Sequence, residues 1–256
     1  MNRLFKTIPL LAIAVALLAL PSCKEKENVI PNIPSTGKME VRFNYVFGAN
    51  AVPWELGKMY VHPKTGDSLT FSLFRFYVSN IKLKKEDGTW WVHPNSYFLV
   101  DAKTVEESIL VLNDVPNGKY TAMQYMMGVD SLMNVSGAHD GALSFTHGMY
   151  WDWNSGYIML KAEGNSPNSP SGTYALHLGG FMGDNNVVTV NNTDFSGEKL
   201  HINSSKTGVV RLTANTARLW HSSPGVDSVN IIHSPGPVAK TMAKDFYSGI
   251  IFSGLE

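Results

Sequence analysis

The fold class is decided by residues 69–83, Leu69 to Leu83, which read LTFSLFRFYVSNIKL. Aromatic and β-branched residues crowd this run, and its apolar positions include Phe71, Leu73, Phe76, Val78 and Ile81. Such a composition suits a pleated, half-buried surface, and no helical period fits it, so the run reads as a long strand. Asp87-Gly88 follows, a pair that tolerates the left-handed backbone of a tight hairpin, and the chain returns through Trp90-Trp91-Val92.

The same pattern extends in both directions. Upstream, Met39–Phe47 alternates polar and apolar residues and stops at Gly48, while Pro53, Gly57 and Pro63–Asp67 mark turns. Downstream, Tyr97–Asp101 is a short strand. Ile109–Val115 and Tyr120–Val129 are expected to pair across the turn Pro116-Asn117-Gly118. Asp130–His147 is polar and glycine-punctuated, one long loop or a short helix. Tyr150–Ala162 reads as a strand, Gly164–Gly172 as a turn and Thr173–Leu178 as the next strand. Val187–Val190, Lys199–Asn203, Gly208–Ala214 and Arg218–His221 are expected as strands of the closing half, and Lys240–Ile251 as a helix. Turn signals recur about every eight to fifteen residues with no fixed repeat, which predicts an all-β fold. The expected architecture is an antiparallel, β-sandwich-like single domain over residues 39–256, with long loops and a short C-terminal helix.

Composition supports a folded domain and excludes some partners. At 44% hydrophobic residues the chain can bury a sizeable core, and a formal net charge of zero leaves no basic excess to bind nucleic acid. The first residues fix an expected compartment. Arg3 and Lys6 precede the apolar run Ile8–Leu20, which is too short to span a bilayer and fits a secretory signal over residues 1–22. Leu20-Pro21-Ser22-Cys23 resembles a lipobox, so Cys23 is the expected lipidation site, and acyl chains there would anchor the protein to a membrane. Residues 23–38, charged and then proline-rich, read as a flexible tether. Lys24-Glu25-Lys26-Glu27 resembles an export signal, which places the expected lipoprotein in the outer membrane, on its periplasmic face or at the cell surface.

Cys23 is the only cysteine, so neither an internal disulfide nor a thiolate metal site is available. There is no GxSxG elbow, HExxH, P-loop or dinucleotide fingerprint, and no enzyme activity is expected. The densest chemistry lies in Met149–Tyr157, MYWDWNSGY, with His147 just before it and His177-Leu178-Gly179-Gly180 further on. Such a block is either a buried ridge or the lining of a site. Imidazole and thioether donors in an aromatic setting suit copper, and the scarcity of carboxylates disfavours calcium and magnesium there. Asp152 or Asp140 could fix the second ring nitrogen of a histidine ligand. His62 and His93 precede prolines in turns, and His139 lies in the long loop. His201, His221 and His233 sit among polar residues and carry no signal. The tryptophans Trp90, Trp91, Trp151 and Trp153 keep open an alternative, a surface module that binds glycans or proteins. A hydrolase would need two carboxylates facing across a cleft.

Several motifs occur in series: Ser79-Asn80-Ile81, Gly128-Val129-Asp130-Ser131, Asn134-Val135-Ser136-Gly137, Gly148–Tyr157, Lys161-Ala162-Glu163-Gly164 and His177–Phe181. Together they resemble the copper-binding MbnP-like domain family, from about Lys38 to the C-terminus. The resemblance implies a β-rich, sandwich-like fold and a role in copper handling outside the cytoplasm, with a copper ion as the partner. In some relatives, histidines hold the copper together with a tryptophan oxidised to kynurenine. Carried over by position, His177 matches the family's His-Leu-Gly motif, and Trp151 and Trp153 match its paired tryptophans. Met149 falls on the same motif, and His147 is near enough in sequence to join such a site. The chain departs from relatives at Asn44-Tyr45 and at Asn134-Val135, where some carry histidine.

Overall fold

The computed structural model describes residues 35–256 apart from residues 138 and 153. The signal segment, Cys23, the tether up to residue 34 and Trp153 therefore lie outside the described residues. Among the described residues, no helix is long and apolar enough to cross a membrane.

Among the described residues, sixteen strands and two α-helices follow one another, with short 3-10 turns between some of them. The first half runs β1 (Thr36–Phe47), β2 (Val52–Pro53), β3 (Met59–Val61), β4 (Ser68–Lys85), β5 (Trp90–Val92), β6 (Tyr97–Asp101), β7 (Ile109–Pro116), β8 (Gly118–Met127) and α1 (Ser131–Val135). The second half runs β9 (Tyr150–Asp152), β10 (Gly156–Asn165), β11 (Thr173–Gly179), β12 (Thr189–Asp194), β13 (Leu200–Ile202), β14 (Gly208–Asn215), β15 (Ile231–Ile232), α2 (Pro237–Ser248) and β16 (Ile250–Leu255). The chain is all-β with a short helix near its C-terminus, as the sequence predicts.

The strands form two sheets. The smaller has the order β16-β14-β1-β2, with β7 also on β1; the larger has β12-β8-β4-β10-β11-β15, with β3, β5 and β6 on β4, β9 on β10 and β13 on β8. Most pairings are antiparallel, but β1–β14 and β11–β15 are parallel. The long strand β4 explains how the larger sheet curls while keeping one face in the core. Its buried apolar residues are Leu69 and Phe71, then Phe74, Phe76 and Val78, then Ile81 and Leu83, so the two-residue period changes phase twice. The register shifts at both places, between the partners of Phe71 and Leu73 and between Ser79 and Lys82. One extra residue turns every following side chain to the other face, and a β-bulge restores the apolar set to the core. Asn80, at the second shift, takes a left-handed backbone with φ of 52°.

The faces of the two sheets meet through aromatic edges. Phe43 of β1 lies edge-on to Phe76 at 5.2 Å, and Phe246 of α2 caps Phe74 and Phe76 at 5.1 and 5.5 Å. The opposite face of β4 is also covered. Tyr77 is fully buried and meets Tyr157 edge-on at 5.5 Å, and the Tyr157 hydroxyl donates to the Leu143 carbonyl at 2.7 Å.

Several sequence expectations are corrected here. Tyr150–Ala162 is not one strand but the hairpin of β9 and β10, because Asp152 Oδ1 accepts from the backbone N–H groups of Asn154 and Ser155 and closes a turn. Strands β7 and β8 do not pair; the turn between them carries the chain from the smaller sheet to the larger. Arg218–His221 is not a strand: a 3-10 turn spans Thr216–Arg218, capped by the Asn215 side chain. The helix begins at Pro237 rather than at Lys240, since a proline lacks only an N–H that the first helical turn leaves free. It ends at Gly249, and Ile250-Ile251-Phe252 pairs with β14 instead of continuing the helix.

Candidate metal site on the outer face of the larger sheet

On β10 and β11, Lys161, Glu163 and His177 are only partly buried while Leu160, Ala162, Leu176 and Leu178 are buried, so one face turns to the core and the other outward. Lys161 stands opposite His177 in the antiparallel register, and Ala175 stands opposite Glu163. The outer row thus brings an imidazole, an ammonium and a carboxylate together. His177 Nε2 lies 2.7 Å from Glu163 Oε1, and Lys161 Nζ lies 3.4 Å from the same oxygen.

The second imidazole comes from β15. That strand runs parallel to β11 with Ala175 beside Ile231 and Leu176 beside Ile232, so the register sets His233 beside His177. Their rings are edge-on with centroids 4.6 Å apart, and the two Nδ1 atoms face each other at 3.1 Å. His177 is half-buried and His233 is exposed, so the pair opens to solvent.

Electrostatics assigns the protons. Burial alone would raise the Glu163 carboxyl, but the hydrogen bond from His177 and the nearby Lys161 charge outweigh it and hold the group below the usual carboxylate range. Glu163 is therefore ionised at neutral pH and can only accept. His177 Nε2 must carry the hydrogen that Glu163 receives, which leaves the lone pair of a neutral His177 on Nδ1. Burial, with help from Lys161 and His233, pushes His177 below its ordinary value against the opposing pull of Glu163. His177 thus has its far nitrogen fixed by a carboxylate and its lone pair on the near nitrogen, where it accepts a hydrogen bond from His233 Nδ1, an arrangement that also suits a metal ligand.

The other sequence-predicted residues occupy separate places. Met149 is 0% exposed and belongs to the hydrophobic core. The His147 ring is exposed and its Nε2 lies 2.9 Å from the Gly141 carbonyl oxygen, while its own carbonyl accepts from Arg75. Arg75 pairs with Lys161 across the ladder, so His147 sits over a strand two removed from β11. Trp151 is half-buried and packs on Gly179, where an added Cβ would stand 2.6 Å from its ring. Gly179 is two residues beyond His177 on the same strand, so by strand alternation the Trp151 ring rests on the same side of the sheet as the imidazole. Among the described residues, no group of three or more histidine, cysteine or acidic side chains is placed to hold a metal. His233 is the residue that sequence reasoning passed over. Its signal was the order Ile232-His233, which repeats Leu176-His177, but a two-residue strand is too short to stand out by periodicity.

A two-sheet β domain with bulged central strands and an outward imidazole pair defines the class. Within that class, the profile of the MbnP family matches residues 36–235, and the chain belongs to that family. Among solved structures, MbnP from Methylosinus trichosporium is similar, with a TM-score of 0.51 and 17% identity over 80% of this chain and 82% of that one. At that identity the likeness is one of fold. Comparison with curated proteins gives no significant match.

Proposed function

We propose that the protein binds copper through His177 and His233, outside the cytoplasm and tethered to a membrane by lipid on Cys23, and that it handles the metal without catalytic turnover. The observation that carries this reading is the pair of Nδ1 atoms facing each other at 3.1 Å. Once His233 carries its ring hydrogen on Nε2, two nitrogens at that separation can both reach one ion at the roughly 2.0 Å of a metal–imidazole bond. Two imidazoles with no thiolate and one already engaged carboxylate favour copper, the divalent first-row ion of highest intrinsic affinity and one that takes nitrogen donors in either oxidation state. Bound copper would supply a soft cation for storage or transfer. His177 and His233 would hold it, Glu163 would orient His177, and the Trp151 ring would shield one side. The motif series that resembles copper-binding relatives supports the same reading.

The test is copper uptake by the purified protein, followed by competition with a chromophoric chelator in reducing and non-reducing buffer. One equivalent of copper is expected. His233→Ala, at an exposed position, should fold normally and lose most of the affinity, as should His177→Ala. Glu163→Gln should weaken binding by roughly ten- to a hundredfold, the usual effect of losing a carboxylate behind a histidine ligand. Wild-type affinity in both histidine variants would overturn the assignment.

A further inference from the structure

A second set of donor atoms lies where the turn Pro63–Asp67 meets the segment Ser222–Asp227. They share a cavity of about 680 Å³ whose lining includes Lys64, Asp67, Asn168, Ser223, Gly225 and Asp227. Asp67 is 6% exposed, and among the described residues its carboxylate accepts one hydrogen bond, from the Val226 N–H to Oδ2 at 2.9 Å. Asp227 approaches the same point: Asp67 Oδ2 and Asp227 Oδ1 lie 2.6 and 3.1 Å from where a Cβ on Gly225 would stand. The two carboxylate oxygens therefore lie within about 6 Å of each other, and any side chain at residue 225 would crowd both. Ser223 is also 6% exposed, and its buried Oγ has no hydrogen-bond partner.

Among the described residues, neither carboxylate takes part in an ion pair. The Lys64 ammonium also lines the cavity but is engaged elsewhere, donating to the His221 carbonyl at 2.5 Å. Buried charges are ordinarily paired or coordinate a metal, because removing a lone carboxylate from water is costly. The lining holds no aromatic ring, so two near carboxylates here have no platform on which to place a sugar. The donors are all hard oxygens on segments outside the regular strands; calcium accepts such oxygens in flexible geometry and completes its shell with water, whereas magnesium demands near-ideal octahedral geometry.

We infer that Asp67, Asp227 and Ser223 form a calcium site that staples the Pro63–Asp67 turn to the Ser222–Asp227 segment. The segment continues through β15 to His233, so the ion would also steady the strand that presents the second imidazole. The inference rests on different residues from the copper reading and stands or falls separately.

Calcium titration of the purified protein by calorimetry, with melting curves in calcium and in chelator, tests it. One ion is expected to bind with Kd on the order of 0.1–1 mM, the range of extracellular calcium modules, and to raise Tm. Asp227→Asn, at an exposed position that should not impair folding, and Ser223→Ala are each expected to abolish the Tm increase. Asp227→Asn should weaken calcium at least about tenfold, while His177→Ala should leave calcium binding unchanged. No calcium uptake by the wild type, or calcium binding by Asp227→Asn and Ser223→Ala equal to the wild type, would overturn the inference.

Discussion

Asn134 is 1% exposed and joins three parts of the chain at once. Its side-chain amide donates to the carbonyls of Val129 and Asp130, both at 2.8 Å, and its Oδ1 accepts from the Tyr157 N–H at 2.8 Å. It thereby ties α1 to the start of β10, at the base of the hairpin that carries Trp151. In Asn134→Ala the buried Tyr157 N–H loses its acceptor and the Val129 carbonyl loses a donor. The Asp130 carbonyl keeps the bond from the residue-134 backbone at 3.2 Å. Each orphaned buried group costs about 1–3 kcal/mol, so a total near 3 kcal/mol is expected. For a domain of this size that corresponds to a Tm lower by roughly 6–12 °C. Urea unfolding followed by tryptophan fluorescence should show a lower midpoint with an unchanged slope. Asn134→Asp keeps the acceptor for Tyr157 but points a carboxylate at two carbonyls. The charged form is disfavoured in the fold, so the variant's deficit against wild type should be largest at neutral pH and shrink as the carboxylate is protonated. A loss below about 1 kcal/mol in Asn134→Ala would refute the view that this side chain anchors the hairpin.

Stability should also fall on acidification. Burial is the main cause that pushes His62, His93 and His177 below their ordinary value of 6.5. Around and below that value the unfolded chain takes up protons that the folded chain resists, so melting temperature should drop steadily from pH 7.5 to pH 5.5. A flat or rising profile there would contradict the burial of these rings. Glu163 and Asp130, both held below the usual carboxylate range, extend the loss to lower pH as they become protonated. Gly179→Ala would place a methyl group 2.6 Å from the Trp151 ring and 2.8 Å from the Tyr157 carbonyl. It should cost about 1–3 kcal/mol, and adding Trp151→Ala should recover only part of it, because the carbonyl belongs to backbone that cannot step aside. A Gly179→Ala variant that melts with the wild type would show that the ring does not rest on this glycine.

The strands that were legible in the sequence are those whose information is local. Trp90–Val92 and Tyr97–Asp101 appear with the predicted bounds, and Leu69–Leu83 grows by only a residue or two at each end. What was hidden depends on pairing at a distance. Nothing local to Pro116-Asn117-Gly118 says that its flanking strands belong to different sheets. The two phase changes in β4 look like defects in alternation until the bulges are seen to compensate for them. From sequence the aromatic block is either a ridge or a site, and the fold divides it between the two. Met149 and Tyr157 are buried as cover for the larger sheet, whereas Trp151 is half-buried and rests on Gly179, two residues from His177. His177 could be singled out through its motif. His233 could not, because its meaning comes from a parallel register with a strand 56 residues earlier.

The placement of β1 governs the order in which the molecule can be completed. This first strand lies inside the smaller sheet, and its parallel neighbour β14 comes from the last quarter of the chain; the Thr216 hydroxyl donates to the Val46 carbonyl across 170 residues. Until residues 208–215 arrive, that flank of β1 presents an unpaired row of backbone donors and acceptors. The long loop must close before any of its contacts can repay the entropy, which makes for slow folding. A chain cut short before β14 would be left with a sticky edge, open to pairing with another copy. Full-length synthesis is thus a precondition of solubility for this fold, and a chaperone that shields β1 in the meantime would speed recovery of the native protein.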